Sequence, residues 1–94
     1  MVEKKVDNKA TGRKKTAAAR VRLVAGEGKW SVNGRDLKDY FPSETQRTYV
    51  AQPLQLANLA DKLDVFATIS GGGMSGQAGA VRHGIARALL KVDA

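Results

Sequence analysis

Cysteine is missing from the 94-residue chain. That excludes disulfides, thiolate metal ligands and a thiol nucleophile, and it suits a reducing compartment such as the cytoplasm. Histidine occurs once, as His83, so no multi-histidine metal site can be built. Neither a metal nor a cofactor is expected. Aromatic residues are few: Trp30, Tyr40, Phe41, Tyr49 and Phe66. A domain this small needs its large side chains inside, so all five are read as core and none is placed in a binding site. No apolar run approaches the roughly 20 residues needed to cross a bilayer. The opening stretch MVEKKVDNKATGRKK has no apolar segment and does not read as a secretory signal. Acidic residues are scarce, nine against 16 lysines and arginines, for a net charge of +7.

The imbalance is local. Residues 1–22 carry eight basic side chains against Glu3 and Asp7, a net of +6, while residues 23–94 carry eight basic and seven acidic groups. A basic region on an otherwise neutral chain points to a polyanion docking on one side.

The length suits one domain, with residues 1–10, polar and without period, read as a flexible arm and 11–94 as the folded unit. From Ala19 the chain alternates, with Ala19, Val21 and Leu23 set against Arg20 and Arg22. Period two predicts a strand with both arginines on its open face. AGEGK then reads as a turn, and KWSVNG as a second strand with Trp30 and Val32 inward. The two strands are expected to form a hairpin, and Asn33-Gly34 to end the second in a tight turn. RDLKDYF predicts a short helix presenting Leu37, Tyr40 and Phe41, closed by Pro42. Ser43 and Gln46 have capping-box spacing and open another helix, which Pro53 is expected to interrupt or restart. Leu56, Leu59 and Leu63 are read as one helical stripe. DVFATIS reads as a largely buried strand, followed by a helix over about Ser75–Val92.

At about 100° per residue, Val81, Ile85, Ala88, Leu89 and Val92 share the buried face of that last helix. His83, Arg87 and Lys91 lie opposite, together with Gly76 and Ala80. The helix is preceded by ISGGGMSGQAGA, whose Gly71-Gly72-Gly73-Met74-Ser75-Gly76 satisfies G-x-G-x-x-G. Two readings of these glycines are open. The loop and the helix N-terminus could receive a phosphate, or Gly76, Ala80 and Gly84 could serve close helix packing.

Enzyme readings fail on context. A dinucleotide loop needs a following parallel strand and an acid about 20 residues on, yet only Asp93 follows, at the end of the sequence. Gln77 and Ala78 after Gly76 break the P-loop pattern, and Gln77 breaks G-x-S-x-G. His83 has no nucleophile and orienting acid at a suitable spacing and is read as a polar-face residue. A small nucleotide-binding domain using GGGMSG is the alternative function.

TGRKKTAAARVRL (residues 11–23) and GGGMSGQAGAVRHGIARAL (residues 71–89) resemble the two signatures of the bacterial-type small-subunit ribosomal protein nine family. VNGRDLKDYFP and QPLQLANLADKLDVFATI match in the same order. The resemblance implies an α+β fold, a two-layer sandwich of three antiparallel strands, then helix, strand and helix, with a left-handed βαβ crossover. It adds an early strand near residues 8–15. It implies a non-enzymatic structural role in the small ribosomal subunit, bound to ribosomal RNA and neighbouring proteins of the subunit head, on a cytoplasmic or organellar ribosome and without a membrane. Carried over by motif, the RNA contacts would be Arg13, Lys14, Lys15, Arg20 and Arg22 from the hairpin. The loop would add Gly71, Gly72, Gly73, Ser75, Gly76 and Gln77, and the helix Arg82, His83 and Arg87. Family members carry a further basic tail that approaches transfer RNA. The sequence stops at Ala94, before that tail, so no such contact is assigned to residues 1–94.

Overall fold

Alternation in the second strand sets the sheet. In the computed structural model, which describes residues 7–92, Ala17, Ala19, Val21 and Leu23 are buried while Arg20 and Arg22 are exposed. The elements in order are β1 (Asp7–Lys14), β2 (Ala17–Ala25), β3 (Trp30–Val32), α1 (Leu37–Tyr40), α2 (Glu44–Leu56), β4 (Leu63–Ser70) and α3 (Met74–Val92). The four strands form one sheet in the order β1-β2-β4-β3. Phe41, Val50, Leu54, Val81, Ile85 and Ala88 complete the core with the inner face of the sheet. The fold is α+β in two layers, as expected. The early strand is present as β1, so residues 7–10 of the expected arm are strand, paired with 21–24; residues 1–6 lie outside the described residues.

The strand pairing departs from three consecutive antiparallel strands. β2 pairs antiparallel with β1 and with β4, while β3 pairs parallel with β4. The true hairpin is β1–β2, and β2 and β3 are not neighbours. The cause lies in the segment between them. The backbone N–H groups of Glu27, Gly28 and Lys29 donate to one carboxylate oxygen of Asp64, at 2.9, 3.1 and 2.9 Å. Gly26 N–H donates to the Lys62 carbonyl at 3.0 Å. These donors carry the chain past the start of β4 instead of folding it back on β2. The hydrogen bond from Lys29, then that from Glu27, hold the Asp64 carboxyl below its usual value near 3.8. β3 and β4, joined through α1 and α2, make the βαβ unit.

Two helix expectations are also corrected. α2 runs through Pro53 to Leu56. It ends because Asn58 adopts φ 58°. Asn58 N–H donates to the Gln55 carbonyl and Leu59 N–H to the Leu54 carbonyl, the Schellman pattern of a helix terminus. Leu56, Leu59 and Leu63 therefore share no stripe: Leu56 is exposed, Leu59 lies in the turn, and Leu63 opens β4. Ser43 caps α2 as expected, its hydroxyl accepting from Gln46 N–H at 3.4 Å. β4 is buried on one face only, through Leu63, Val65, Ala67 and Ile69. Of the five aromatics Phe41 alone is fully buried. Trp30 and Tyr40 are half-buried, and Tyr49 and Phe66 are exposed. The buried face of α3 is confirmed at Val81, Ile85 and Ala88, with Leu89 half-buried; the Val92 side chain and Asp93 lie outside the described residues.

Candidate RNA interface

Residues 13–16 and 71–79, far apart in sequence, meet at one end of the sheet. The β1–β2 turn is Lys15-Thr16, with Lys15 held at φ 57°, a left-handed conformation uncommon for a lysine. It packs on the glycine loop. A Cβ on Gly71 would stand 2.4 Å from the Thr16 carbonyl oxygen, and one on Gly72 would stand 2.8 Å from the Ala17 Cβ and 3.1 Å from its nitrogen. Both glycines also have positive φ, 76° and 65°. These two glycines are thus required by the fold itself. Gly73 differs: no atom lies within 4 Å of its would-be Cβ. No neighbouring atom excludes a side chain there, and the position faces open space beside Ser75, which is exposed.

The loop is braced from behind. Gln77 Nε2 donates to the Gly71 carbonyl at 3.0 Å, and Gln77 Oε1 accepts from the Tyr40 hydroxyl at 2.7 Å. Asn33, from the tight turn with Gly34, donates to the Tyr40 oxygen and to the Ile69 carbonyl, and accepts from Ile69 N–H at 2.8 Å. Both Asn33 and Gly34 have positive φ, as the expected turn demands. Gln77 therefore acts on the loop from within. α3 starts as the Gly73 carbonyl accepts from Gln77 N–H at 2.8 Å. Its first N–H groups have no acceptor inside the helix, and the dipole there favours an anion.

The outer face of α3 is smaller than the helical wheel suggests. Ala80 and Gly84 are buried against β1, so this part of the face serves packing rather than ligand approach. The reason is β1 itself, a strand that pattern alone does not reveal. What stays open is a groove of about 390 Å³ beside Lys14, Tyr49, Arg82, His83 and Arg87. The Lys14 stem lies along Gly79 and links this groove to the turn.

Two of the arginines here have structural work. Pro53 lacks the N–H that would bond the Tyr49 carbonyl four residues back. The Arg82 guanidinium donates to that carbonyl at 3.0 Å and also to Gln52 Oε1, and it stands 4.7 Å from the Tyr49 ring centroid. Arg82 therefore fills the acceptor that Pro53 leaves open, which is how α2 passes through the proline. Arg82→Ala should cost about 1–2 kcal/mol. In a Pro53→Ala background the cost should be smaller by about 0.5–1 kcal/mol, because the new N–H serves the same carbonyl. Denaturant melts of the four proteins give this coupling, and a coupling of zero would refute the arrangement. Arg87 donates to the Thr11 carbonyl at 2.8 Å and Lys91 to the Lys9 carbonyl at 2.5 Å. Both cover the outer edge of β1, which would otherwise invite a foreign strand.

Arg13, Arg20 and Arg22 lie elsewhere, on the face of the sheet turned away from the helices. The register places Lys9 across from Arg22, Thr11 across from Arg20, and Arg13 across from Ala18. The predicted residues thus form two surfaces, one at the turn, loop and α3, the other on the open sheet. Lys9 and Phe66 share this open face and were not among the predicted residues. Period two in LDVFATIS was the available signal, since Phe66 alternates with Val65 and Ala67.

A family model described as ribosomal protein S9/S16 matches residues 12–94. The small ribosomal subunit protein uS9 of Desulfovibrio desulfuricans is 60% identical over 83 residues, covering 88% of this chain and 64% of that relative. The chain thus spans just under two thirds of the length of that curated relative. With the basic turn packed on the glycine loop and both signatures, save Thr11, inside the matched span, the chain belongs to the ribosomal protein S9/S16 family.

Proposed function

We propose that the chain is a non-enzymatic structural component of the small ribosomal subunit, binding ribosomal RNA in the subunit head beside neighbouring proteins. It would act on a cytoplasmic or organellar ribosome. The observation that carries this reading is the pairing of Lys14 and Lys15 with a loop whose Gly73 has no protein atom within 4 Å of a would-be Cβ. Lysine supplies charge, and an unobstructed backbone allows a phosphate to come close. Arg13, Arg20 and Arg22 supply further phosphate contacts, and His83 and the free edge of Arg87 extend the surface along α3. Ser75 lies, exposed, in the first turn of α3. Such contacts position the protein without reading bases.

Affinity for a transcript of the small-subunit head domain, measured at rising salt, tests this directly. About six neutralised phosphates predict a loss of roughly a thousandfold between 50 and 200 mM salt. Gly73→Ala should weaken binding several-fold, because its Cβ meets RNA and no protein atom, while the fold loses at most about 1 kcal/mol from the poorer helix cap. An affinity indifferent to salt would overturn the reading. Saturable binding of a mononucleotide or dinucleotide in calorimetry would favour a nucleotide-binding domain instead.

A further inference from the structure

We propose that the open face of the sheet holds a stacking site, in which an unpaired RNA base lies on the Phe66 ring between Arg20 and Ser31. The inference rests on the RNA reading above and adds to it a contact of a different kind. The site is built by register. Phe66 pairs with Arg22 of β2 on one side and with Ser31 of β3 on the other, and Thr68 pairs with Arg20. Residues directly opposite in neighbouring strands point to the same face. Phe66 is 45% exposed and sits on β4, an inner strand, so its backbone is fixed by pairing on both sides. Around it lies a depression of about 620 Å³ lined by Lys9, Thr11, Arg20, Arg22, Phe66 and Thr68.

The surroundings decide the occupant. Protein docking sites are contiguous apolar patches of some hundreds of Å². The other exposed large apolar side chains, Tyr49, Leu56 and Leu90, are all on helices, so among the described residues Phe66 is alone on the sheet. It is ringed by cations and hydroxyls. A flat π-face flanked by positive charge suits a nucleotide, whose base stacks while its phosphates meet Lys9 and Arg20. The hydroxyls of Thr11, Ser31 and Thr68 offer partners for base edges or a ribose 2′-OH. A four-stranded sheet presenting an aromatic on its open face is a workable platform for this purpose, as single-strand recognition domains show. The site also explains why a bulky apolar residue occupies the solvent side of a strand that otherwise alternates strictly.

The test compares substitutions that separate π-stacking from apolarity and from charge. Phe66→Leu keeps an apolar side chain without a ring, and Phe66→Tyr keeps the ring. Affinity of the full chain for the head-domain transcript should fall about tenfold in Phe66→Leu, within the range that base–aromatic stacking gives. It should stay within about twofold in Phe66→Tyr, since the π-face is retained. The slope of affinity against salt should be unchanged in both, because no charge is altered. As a direct readout, the Trp30→Phe/Phe66→Trp double variant should show indole fluorescence quenched by the transcript. Thermal melts of each variant establish that the fold is intact. If wild type binds with steep salt dependence and Phe66→Leu binds equally well without quenching in the tryptophan variant, the stacking site is wrong and the RNA reading stands. That outcome would mark Phe66 as a protein contact. If wild type fails to bind the transcript at all, both are wrong.

Discussion

Gly12→Ala is expected to destabilise the domain by about 3–5 kcal/mol, beyond the usual cost of an overpacked core. A Cβ on Gly12 would stand 2.0 Å from the Ala80 carbonyl oxygen, 2.3 Å from the Gly84 nitrogen and 2.9 Å from its Cα. All three are backbone atoms of α3, so no side-chain rotation relieves the clash. The only escape is to lift α3 from β1, which opens the contacts of Ala80, Val81 and Ile85, all fully buried. Gly84 meets β1 at the same point, its would-be Cβ 3.2 Å from the Gly12 nitrogen and 2.7 Å from Val21 Cγ2. A domain of this size has a total stability of roughly 5–14 kcal/mol, so the substitution removes a large share of it. The melting temperature should fall by more than about 12 °C, or the cooperative transition should vanish. Gly73→Ala is the matched control and should lose no more than about 5 °C, the cost of a poorer helix cap without a clash. A Gly12→Ala protein melting within about 3 °C of wild type, by the same scaling, would show that β1 and α3 are not in contact as described.

That glycine marks where sequence reasoning stopped. Strand alternation in β2, the Ser43 cap, the Asn33-Gly34 turn and the buried stripe of α3 all rest on neighbours in the chain, and each was legible. The order of the strands was not, because it hangs on Asp64 binding three N–H groups more than thirty residues away. Nothing local distinguishes that aspartate from a solvated one. The passage of α2 through Pro53 was hidden for the same reason, since its compensation comes from Arg82 on another helix. The small residues of α3 were visible, but their partner is a strand rich in polar residues that carries no clear period. Consequently Ala80 and Gly84 looked open when they are covered. For the candidate site, charge and glycine content singled out the turn and the loop, two segments that the fold packs together. They gave no sign that the polar groups of Gln77 and Arg82 have partners within the fold, or that Phe66, read as core, stands exposed on the sheet.

Replacing Arg13, Lys14 and Lys15 together by glutamine should reduce affinity for the head-domain RNA about a hundredfold at about 0.15 M salt. Each phosphate contact contributes about 0.7–0.9 to the slope of log affinity against log salt, so the three should remove about 2–3 from it. All three side chains are exposed, which predicts little change in melting temperature. Lys14 retains its packing on Gly79 through the glutamine stem. The loss should be nearly the same for every RNA sequence, because these groups meet phosphates and not bases. A second variant separates a local contact from the general attraction of a chain with net charge +7. Lys29 and Lys62 stand by the starts of β3 and β4, and the pairing of Ala25 with Leu63 and of Ala18 with Ser70 sets them at the far end of the sheet from the turn. Neutralising that pair should remove less than about 0.5 from the slope, since charges more than a Debye length from the phosphates are largely screened. Equal losses per charge in the two variants would mean that the protein is held by its overall field, and that the packing of the basic turn on the glycine loop serves the fold alone.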